Sequence, residues 1–285
     1  MSIGLALAGG GMQGVAHIGA IKALAELGIK PDYIAGTSSG SIFAAMYAMG
    51  FTIEEMFEMV NENYEILIGI EKGRILKAIG TYITQKEIKI GGLIDGAKLE
   101  ELVTNMAEKK KIKNIADIKM PLAIPTVDTI STKECISLSK NYNLQHEDID
   151  YIYDIPVGTA VRASMAFPGI YTTCSFGKYN FIDGGTKDNL PVKVLKDMGA
   201  EKVIGLSFDI TNYTPSDNIL SILLRAVDIF SLKDVRAAQK QADLAIEIRN
   251  DDTSLLQTDN LQKCFQIGYD TIMNYKEEIK KLKDK

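Results

Sequence analysis

Residues 3–14 read IGLALAGGGMQG, and residues 33–40 read YIAGTSSG. In both stretches a short apolar run, which predicts a buried strand, stops at a turn rich in glycine or serine. Apolar residues then recur at helical spacing over residues 13–27 and 39–49, and a glycine follows each of these helices. Repetition of strand, tight turn and helix is typical of an α/β fold, with a mostly parallel sheet covered by helices on both faces.

The rest of the chain adds strands and a long helical segment. Five further strands are predicted at residues 122–127, 134–139, 178–182, 202–208 and 244–248. Residues 51–118 carry amphipathic helical patterns without a convincing strand, and we expect them to form an inserted helical cap.

Residues 218–230 form a helical pattern of their own. Six apolar residues share one face of it: Ile219, Leu220, Leu223, Leu224, Val227 and Phe230. This pattern favours a helix that faces the core, with a helix that touches lipid as the alternative.

Composition limits the class of protein. The chain has 285 residues, of which 46% are hydrophobic and 24% charged, so it is expected to fold around a sizeable core rather than to be disordered or fibrous. Its net charge of −5 argues against a general nucleic-acid binder, which needs a basic surface. Lysines cluster at residues 109–113 and 276–285, where a solvated helix surface is expected and contact with an anionic membrane is the alternative.

The cysteines and the apolar runs bear on location. Cys135, Cys174 and Cys264 are widely spaced and show neither a disulfide framework nor a zinc-binding spacing. The first residues lack the basic and apolar regions of a signal peptide, and no apolar run reaches the roughly 18 residues that a membrane span requires. A reducing, cytoplasmic location is therefore predicted.

Gly36-Thr37-Ser38-Ser39-Gly40 matches the pattern G-x-S-x-G. In this pattern a serine occupies a strained turn between a strand and a helix, and its hydroxyl projects from the sheet edge. The pattern alone is weak, but a strand is predicted before it and a helix after it, as the pattern requires. Ser38 is therefore the candidate nucleophile, with a serine-rich helix N-cap as the structural alternative.

The glycine-rich loop that spans Gly9 to Gly14 precedes the first helix. Consecutive glycines let backbone N–H groups converge beside a helix N-terminus, which suits an oxyanion hole. The loop also fits the dinucleotide fingerprint G-x-G-x-x-G through Gly9, Gly11 and Gly14. That alternative needs an acidic residue at the end of the second strand, whereas Asp32 precedes this strand.

A serine nucleophile needs a base, and the chain has two histidines. His17 is expected to pack or bond locally in the first helix, and His146 falls in an acidic loop. Ser38, Asp128 and His146 follow the order of an α/β-hydrolase triad, although here the nucleophile follows only the second strand. Asp183, directly after a predicted strand and before two glycines, is the other candidate base, with a plain turn as its structural alternative.

In this order the glycine loop, the G-x-S-x-G turn and Asp183-Gly184-Gly185 resemble the motifs of the patatin-like phospholipase family. Residues 16–19, residues 163–168 and Asn189-Leu190-Pro191 are similar to it as well, so the resemblance covers about residues 4–195. It implies a Ser–Asp dyad without histidine, with Ser38 as nucleophile and Asp183 as base. It also implies an oxyanion hole at the backbone N–H groups of Gly9, Gly10, Gly11 and Met12.

The resemblance further implies a serine lipid acyl hydrolase that cleaves fatty acyl esters through an acyl-enzyme, with no metal or cofactor. A lipid or acyl ester substrate is expected, together with transient contact with a membrane surface and no nucleic-acid partner. Residues 1–206 would form the catalytic domain, and residues 207–285 an extension packed on it. Gln13 stands where the family usually has Arg or Lys, which bears on loop anchoring and on preference for anionic head groups. A nucleotide-binding module and a catalytically silent lipid-binding protein remain the alternatives.

Overall fold

The computed structural model describes residues 1–68, 91–209, 219–249 and 261–283. Its strands are β1 (Ile3–Leu7), β2 (Tyr33–Gly36), β3 (Gly92–Ile94), β4 (Leu122–Asp128), β5 (Glu134–Leu138), β6 (Ile149–Ile152), β7 (Gly169–Tyr171), β8 (Cys174–Phe176), β9 (Tyr179–Asp183), β10 (Lys202–Phe208) and β11 (Leu244–Ile248). Its α-helices are α1 (Ala16–Glu26), α2 (Ser39–Ala48), α3 (Ile53–Glu62), α4 (Tyr64–Ile68), α5 (Ala97–Lys109), α6 (Val157–Ser164), α7 (Val192–Asp197), α8 (Ile219–Gln241), α9 (Leu261–Asn274) and α10 (Lys276–Lys283).

A mixed sheet forms the centre of the fold. In the described part of the chain its strands follow the order β11-β10-β1-β2-β4-β5-β6, and the hairpin β8-β9 is attached to β4. The strands from β11 to β4 are parallel, whereas β5 runs antiparallel to β4. β3 and β7 form a separate parallel pair. The prediction of an α/β fold with a mostly parallel sheet is thus confirmed.

Helices cover both faces of this sheet, and this coverage explains why the sequence of β1 is apolar throughout. Leu5 and Leu7 belong to the large core beneath α1 and α2, whereas Ala6 and Ala8 belong to the smaller core beneath α7. Successive side chains of a strand point to opposite faces, so a strand covered on both sides has no polar position.

The C-terminal elements pack on the same sheet and helices. β11 pairs with β10, and α9 lies against α1. Gly19 of α1 and Gly268 of α9 make this close approach possible, because a Cβ on either glycine would overlap the backbone of the other helix.

The site is positioned by two strands that share one edge of β4. β2 is parallel to β4 and pairs with its beginning, at Leu122 and Ala123. β9 is antiparallel to β4 and pairs with its end, from Thr126 to Asp128. Since β5 occupies the other edge over the same residues, β2 and β9 run toward each other on one edge. The carboxyl ends of β2 and β9 therefore meet opposite Pro125 of β4. Proline has no backbone N–H group, so at this gap β4 has no N–H group that lacks a partner strand.

The five strands predicted after residue 121 are confirmed, with small shifts at their ends. The expectation that residues 51–118 lack a strand is wrong, because β3 lies within them. A three-residue strand that begins at a glycine is too short to show an alternating pattern. Residues 69–90 of this segment lie outside the described residues.

Two helices differ from their predictions. The helix predicted from residue 13 begins as a 3-10 turn, Gly11–Val15, and becomes α-helical at Ala16. α8 is longer than predicted. Phe230, which was predicted to face the core, is 76% exposed, so the prediction is wrong for this residue. The other five side chains of that face lie outside the described ones. Within the described ranges, no helix has the length and apolar character needed to cross a membrane.

Candidate active site

Ser38 occupies a strained turn between β2 and α2. Its φ of 51° and ψ of −127° are values that a residue with a side chain rarely adopts. The surroundings hold it there: its backbone N–H donates to Ser164 Oγ (2.9 Å), and Ser164 Oγ donates to the carbonyl of Pro125 (2.7 Å). This geometry presents the Ser38 hydroxyl at the carboxyl end of β2, as the G-x-S-x-G pattern predicts.

Asp183 is the last residue of β9 and meets Ser38 across the gap opposite Pro125. Ser38 Oγ donates a hydrogen bond of 2.6 Å to Asp183 Oδ2. The second carboxylate oxygen, Oδ1, accepts from the backbone N–H of Gly185 at 2.8 Å, which fixes the carboxylate plane. The Thr37 hydroxyl donates to the carbonyl of Asp188 (2.8 Å) and so ties the two turns together. The structure thus brings Ser38 and Asp183 into direct contact.

Burial controls the charge of this carboxylate. Asp183 is 1% exposed, and burial raises its pKa from 3.8 to about 7, although the hydrogen bonds from Ser38 and Gly185 favour the ionised form. A carboxylate that is poised near neutral pH is a stronger base than an exposed aspartate.

The glycine loop lies directly beside Ser38. A Cβ on Gly9 would lie 2.7 Å from the Cβ of Ser38 and 2.7 Å from Asn189 Oδ1, so only glycine allows the backbone this close. The N–H of Gly9 donates to Asn189 Oδ1 (3.0 Å), and the N–H of Gly10 donates to Ser39 Oγ (3.1 Å). These two bonds anchor the loop to the turns that follow Ser38 and Asp183.

The next two amides of the loop have different surroundings. Gly11 and Met12 begin the 3-10 turn, and the N–H of Gln13 already donates to the carbonyl of Gly10 (3.2 Å). Within the described residues, the N–H groups of Gly11 and Met12 donate to no protein acceptor. They are therefore available to an oxygen atom placed at the loop.

Neither histidine is placed to act as the base. His17 is fully buried against Phe43 and Phe208, and its Nε2 bonds to the carbonyl of Ala8 at 2.8 Å. Burial lowers the pKa of His17 to about 4, against the opposing effect of the Ala8 hydrogen bond, so the ring is neutral at pH 7. The expectation that it bonds locally is confirmed. His146 is exposed, and its Nδ1 accepts from the backbone N–H of Asp148 (3.2 Å).

The remaining acidic candidates are engaged elsewhere. Asp128 accepts from the hydroxyl of Ser131 (2.6 Å) and the N–H of Asn180 (2.9 Å), and in the described structure it makes no hydrogen bond with His146. The structure therefore does not assemble the triad of Ser38, Asp128 and His146. Asp32 accepts from the N–H of Ile3 at the start of β1, the end of the strand opposite the glycine loop, so it is not the acidic residue of a dinucleotide site.

Three residues of the site had no assigned role in the sequence. Ser164 holds the backbone of Ser38, Ser39 holds Gly10, and Asn189 holds Gly9. Ser164 and Asn189 lie in two of the stretches that resemble the family, which is the signal that could have found them. Their function as backbone anchors depends on contacts between distant segments and has no local pattern.

Comparisons with known proteins agree with this arrangement. A family model described as patatin-like phospholipase matches residues 5–196. An uncharacterized NTE family protein of Mycobacterium tuberculosis is 29% identical over 196 residues, which cover 68% of this chain and 28% of that protein. Lysophospholipase NTE1 of Candida albicans is 27% identical over 209 residues, which cover 72% of this chain and 13% of that protein. The chain thus spans less than a third of the length of these curated relatives.

A solved structure shares the fold. The crystal structure of VipD from Legionella pneumophila matches with a TM-score of 0.51 and 14% sequence identity, over 97% of this chain and 67% of that chain. At this identity the likeness concerns the fold alone. The family resemblance inferred from the sequence motifs is confirmed by the family model.

Proposed function

The chain belongs to the patatin-like phospholipase family, and on that premise we propose that it is a serine lipid acyl hydrolase that works through a Ser38–Asp183 dyad. The observation that carries the proposal is the 2.6 Å hydrogen bond from Ser38 Oγ to the buried Asp183 carboxylate. A serine hydroxyl becomes a nucleophile when an adjacent base accepts its proton, and this is the base that the site offers.

The proposed reaction has two halves. Ser38 Oγ attacks the ester carbonyl carbon while its proton moves to Asp183 Oδ2. The alcohol of the ester then leaves with that proton, and the acyl group remains bound to Ser38. A water molecule attacks the acyl-enzyme, gives a proton to Asp183, and the fatty acid leaves as the proton returns to Ser38.

Negative charge develops on the carbonyl oxygen in both halves, and we assign its stabilisation to the glycine loop. Gly9, Gly10, Gly11 and Met12 were all candidates, but the N–H groups of Gly9 and Gly10 already have acceptors in Asn189 and Ser39. Gly11 and Met12 therefore supply the donors, and Gly9 and Gly10 hold the loop in place. A fixed donor of this kind contributes about 3 kcal/mol to transition-state stabilisation.

The substrate is proposed to be a fatty acyl ester of a glycerolipid. Family membership and the name of the Candida albicans relative, a lysophospholipase, support this class. Residues 1–206 are proposed as the catalytic domain, residues 51–118 as a cap that could hold an acyl chain, and residues 207–285 as an extension packed on the domain. A cytoplasmic location is proposed from the cysteine pattern, and no metal or cofactor enters the scheme.

Covalent labelling tests the dyad. The wild-type protein is incubated with a fluorophosphonate that carries a long alkyl chain, and the adduct is located by peptide mass spectrometry. We expect an adduct on Ser38 and its loss in Ser38→Ala and in Asp183→Asn. Ser175→Ala, which removes an exposed serine on β8, is the control and should label normally.

Turnover of a fatty acyl ester gives the second readout. Ser38→Ala and Asp183→Asn should each lose at least about a thousandfold in kcat. Full turnover in either folded variant would refute the dyad. Lipid binding without turnover, equal in wild type and Ser38→Ala, would instead identify a silent lipid-binding protein.

A further inference from the structure

Helix α8 exposes large apolar side chains to solvent. Among the residues that the structure describes, the large hydrophobic side chains that are exposed are Met1, Ile130, Ile222, Ile229 and Phe230. Three of these lie on α8, where Ile222 is 50%, Ile229 55% and Phe230 76% exposed. Scattered exposed apolar residues are ordinary, but a group on one helix face marks an interaction surface.

Basic side chains continue the same face toward the end of the helix. Lys233, Arg236 and Lys240 are exposed and, in the described structure, form no ion pair. They follow Ile229 at intervals of three and four residues, so they lie on the same side of the helix. We call these six residues, Ile222, Ile229, Phe230, Lys233, Arg236 and Lys240, the α8 surface.

The α8 surface belongs to a helix that reaches the candidate active site. The end of α8 is held over the sheet, where Gln239 Nε2 donates to Ser207 Oγ of β10 (2.9 Å). α8 also contacts the turn Gly184–Thr186, which follows Asp183, and β7.

We propose that the α8 surface docks the protein on an anionic lipid surface, with the apolar side chains inserted and the basic side chains against the head groups. The inference rests on the proposed function, since it explains how a site for acyl esters reaches substrates that reside in a lipid surface. Apolar and basic residues together on one exposed helix face are the composition of interfacial helices.

The charge pattern favours a lipid surface over a second copy of this chain. The whole chain carries a net charge of −5, yet Lys233, Arg236 and Lys240 form no ion pair in the part of the chain that the structure describes. Two such faces brought together would repel, whereas each Lys or Arg is attracted to the potential of an anionic membrane. The apolar residues supply the adhesion that remains when salt screens these charges.

Vesicle binding tests this surface separately from catalysis. The full chain with Ser38→Ala, which cannot consume lipid, is sedimented with vesicles of phosphatidylcholine alone or mixed with phosphatidylglycerol. Binding should be stronger to the mixed vesicles. In the same background Ile229→Ser with Phe230→Ser should weaken binding to mixed vesicles by about tenfold or more.

The basic residues are tested by a second variant. Lys233→Gln with Arg236→Gln and Lys240→Gln should remove most of the preference for phosphatidylglycerol, a loss of about tenfold to a hundredfold. The unfolding temperature of each variant is measured alongside, because exposed substitutions should leave it unchanged.

Two matched controls locate the effect. Ile130→Ser removes an exposed apolar side chain on the turn after β4, and the triple replacement of Lys109, Lys111 and Lys113 by Gln neutralises one of the two lysine clusters elsewhere in the chain. Neither should change binding. Weaker binding in the controls but not in the α8 variants would overturn the proposal. A dimer of the wild type that the α8 variants convert to monomer, with vesicle binding unchanged, would overturn it as well.

Activity separates this inference from the proposed function. With Ser38 intact, the α8 variants should hydrolyse a soluble short-chain ester normally and lose activity only on vesicles. Vesicle binding that depends on α8 without hydrolysis of any ester would keep the docking surface and refute the hydrolase. Hydrolysis on vesicles that is unaffected by the α8 variants would keep the hydrolase and refute the docking surface.

Discussion

Replacing Asp183 with asparagine should stabilise the fold while it abolishes catalysis. The side chain is 1% exposed, and its pKa is raised by burial from 3.8 to about 7. A carboxyl group with a raised pKa binds its proton more tightly in the folded state, so ionisation above that range disfavours folding. The resulting loss of folding free energy begins near the pKa that Asp183 has in the unfolded chain. It grows as pH rises and becomes constant above the pKa of Asp183 in the folded protein.

The magnitude follows from the shift. A difference of about three pKa units corresponds to a cost of about 4 kcal/mol once the group is fully ionised, and this is the upper limit for Asp183→Asn. An asparagine can still accept from Gly185 through its oxygen and can donate to Ser38. Since the amide bonds are weaker than those of a carboxylate, we expect a gain on the order of 2 kcal/mol at pH 8 and nearly none at pH 4.

Urea unfolding followed by circular dichroism measures this difference between about pH 4 and about pH 8. Other partly buried carboxyls whose pKa is raised, such as Glu134, titrate in both proteins, so subtraction of the two free energies of unfolding isolates Asp183. A difference that does not change with pH, or a variant less stable at the upper end, would refute the raised pKa.

Asp128 supplies a control of opposite sign. It is 2% exposed, and although burial raises its pKa, hydrogen bonds from Asn180, Ser131 and Ile130 outweigh burial and leave the pKa lowered. Its ionised form therefore stabilises the fold above the unfolded pKa, and this contribution is lost as pH falls. Asp128→Asn should destabilise the protein at pH 7, unlike Asp183→Asn.

Four further predictions concern the pH profile, a backbone anchor, a histidine and the packing of α9. In initial-rate assays on a soluble ester, kcat/KM should fall about tenfold per pH unit below pH 7, as Asp183 becomes protonated; a rate independent of pH there would contradict Asp183 as the base. Ser164→Ala should lower kcat by about tenfold with little change in KM in steady-state kinetics, because the N–H of Ser38 loses its acceptor. In the same assay His146→Ala should keep full kcat/KM, and a large loss would revive the triad with Asp128. Gly268→Val should lower the free energy of unfolding by at least about 2 kcal/mol in urea titration, since its side chain would overlap α1.

Local sequence patterns were enough to predict the parts of the site that each lie within one segment. β1 and β2 appear as apolar runs because both of their faces are covered, and the turns after them are visible because glycine and serine have distinctive conformational preferences. The strained turn at Ser38 and the glycine loop beside the first helix therefore follow from a few consecutive residues. The exposure of Phe230 did not follow, because periodicity shows which residues share a helix face and not what covers that face.

The family resemblance added what these patterns could not supply, namely the pairing of Ser38 with Asp183. Taken alone, Asp183-Gly184-Gly185 also fits a plain turn, and the order of Ser38, Asp128 and His146 also fits a triad. The order of the motifs in a known family favours the dyad over the plain turn and over the triad. This is a likeness between sequences and gives no physical reason within this chain.

Amino-acid order alone established the α/β class, the strained serine turn and the glycine loop, since each arises from interactions between neighbours along the chain. Tertiary structure decided which groups meet. Ser38 and Asp183 are 145 residues apart, and they touch because β2 and β9 approach from opposite directions along one edge of β4. The same packing removes water from Asp183 and raises its pKa. It also gives acceptors to the amides of Gly9 and Gly10, whereas those of Gly11 and Met12 have none among the residues that the structure describes. Strand pairing and burial are properties of the assembled sheet, and no short stretch of sequence contains them.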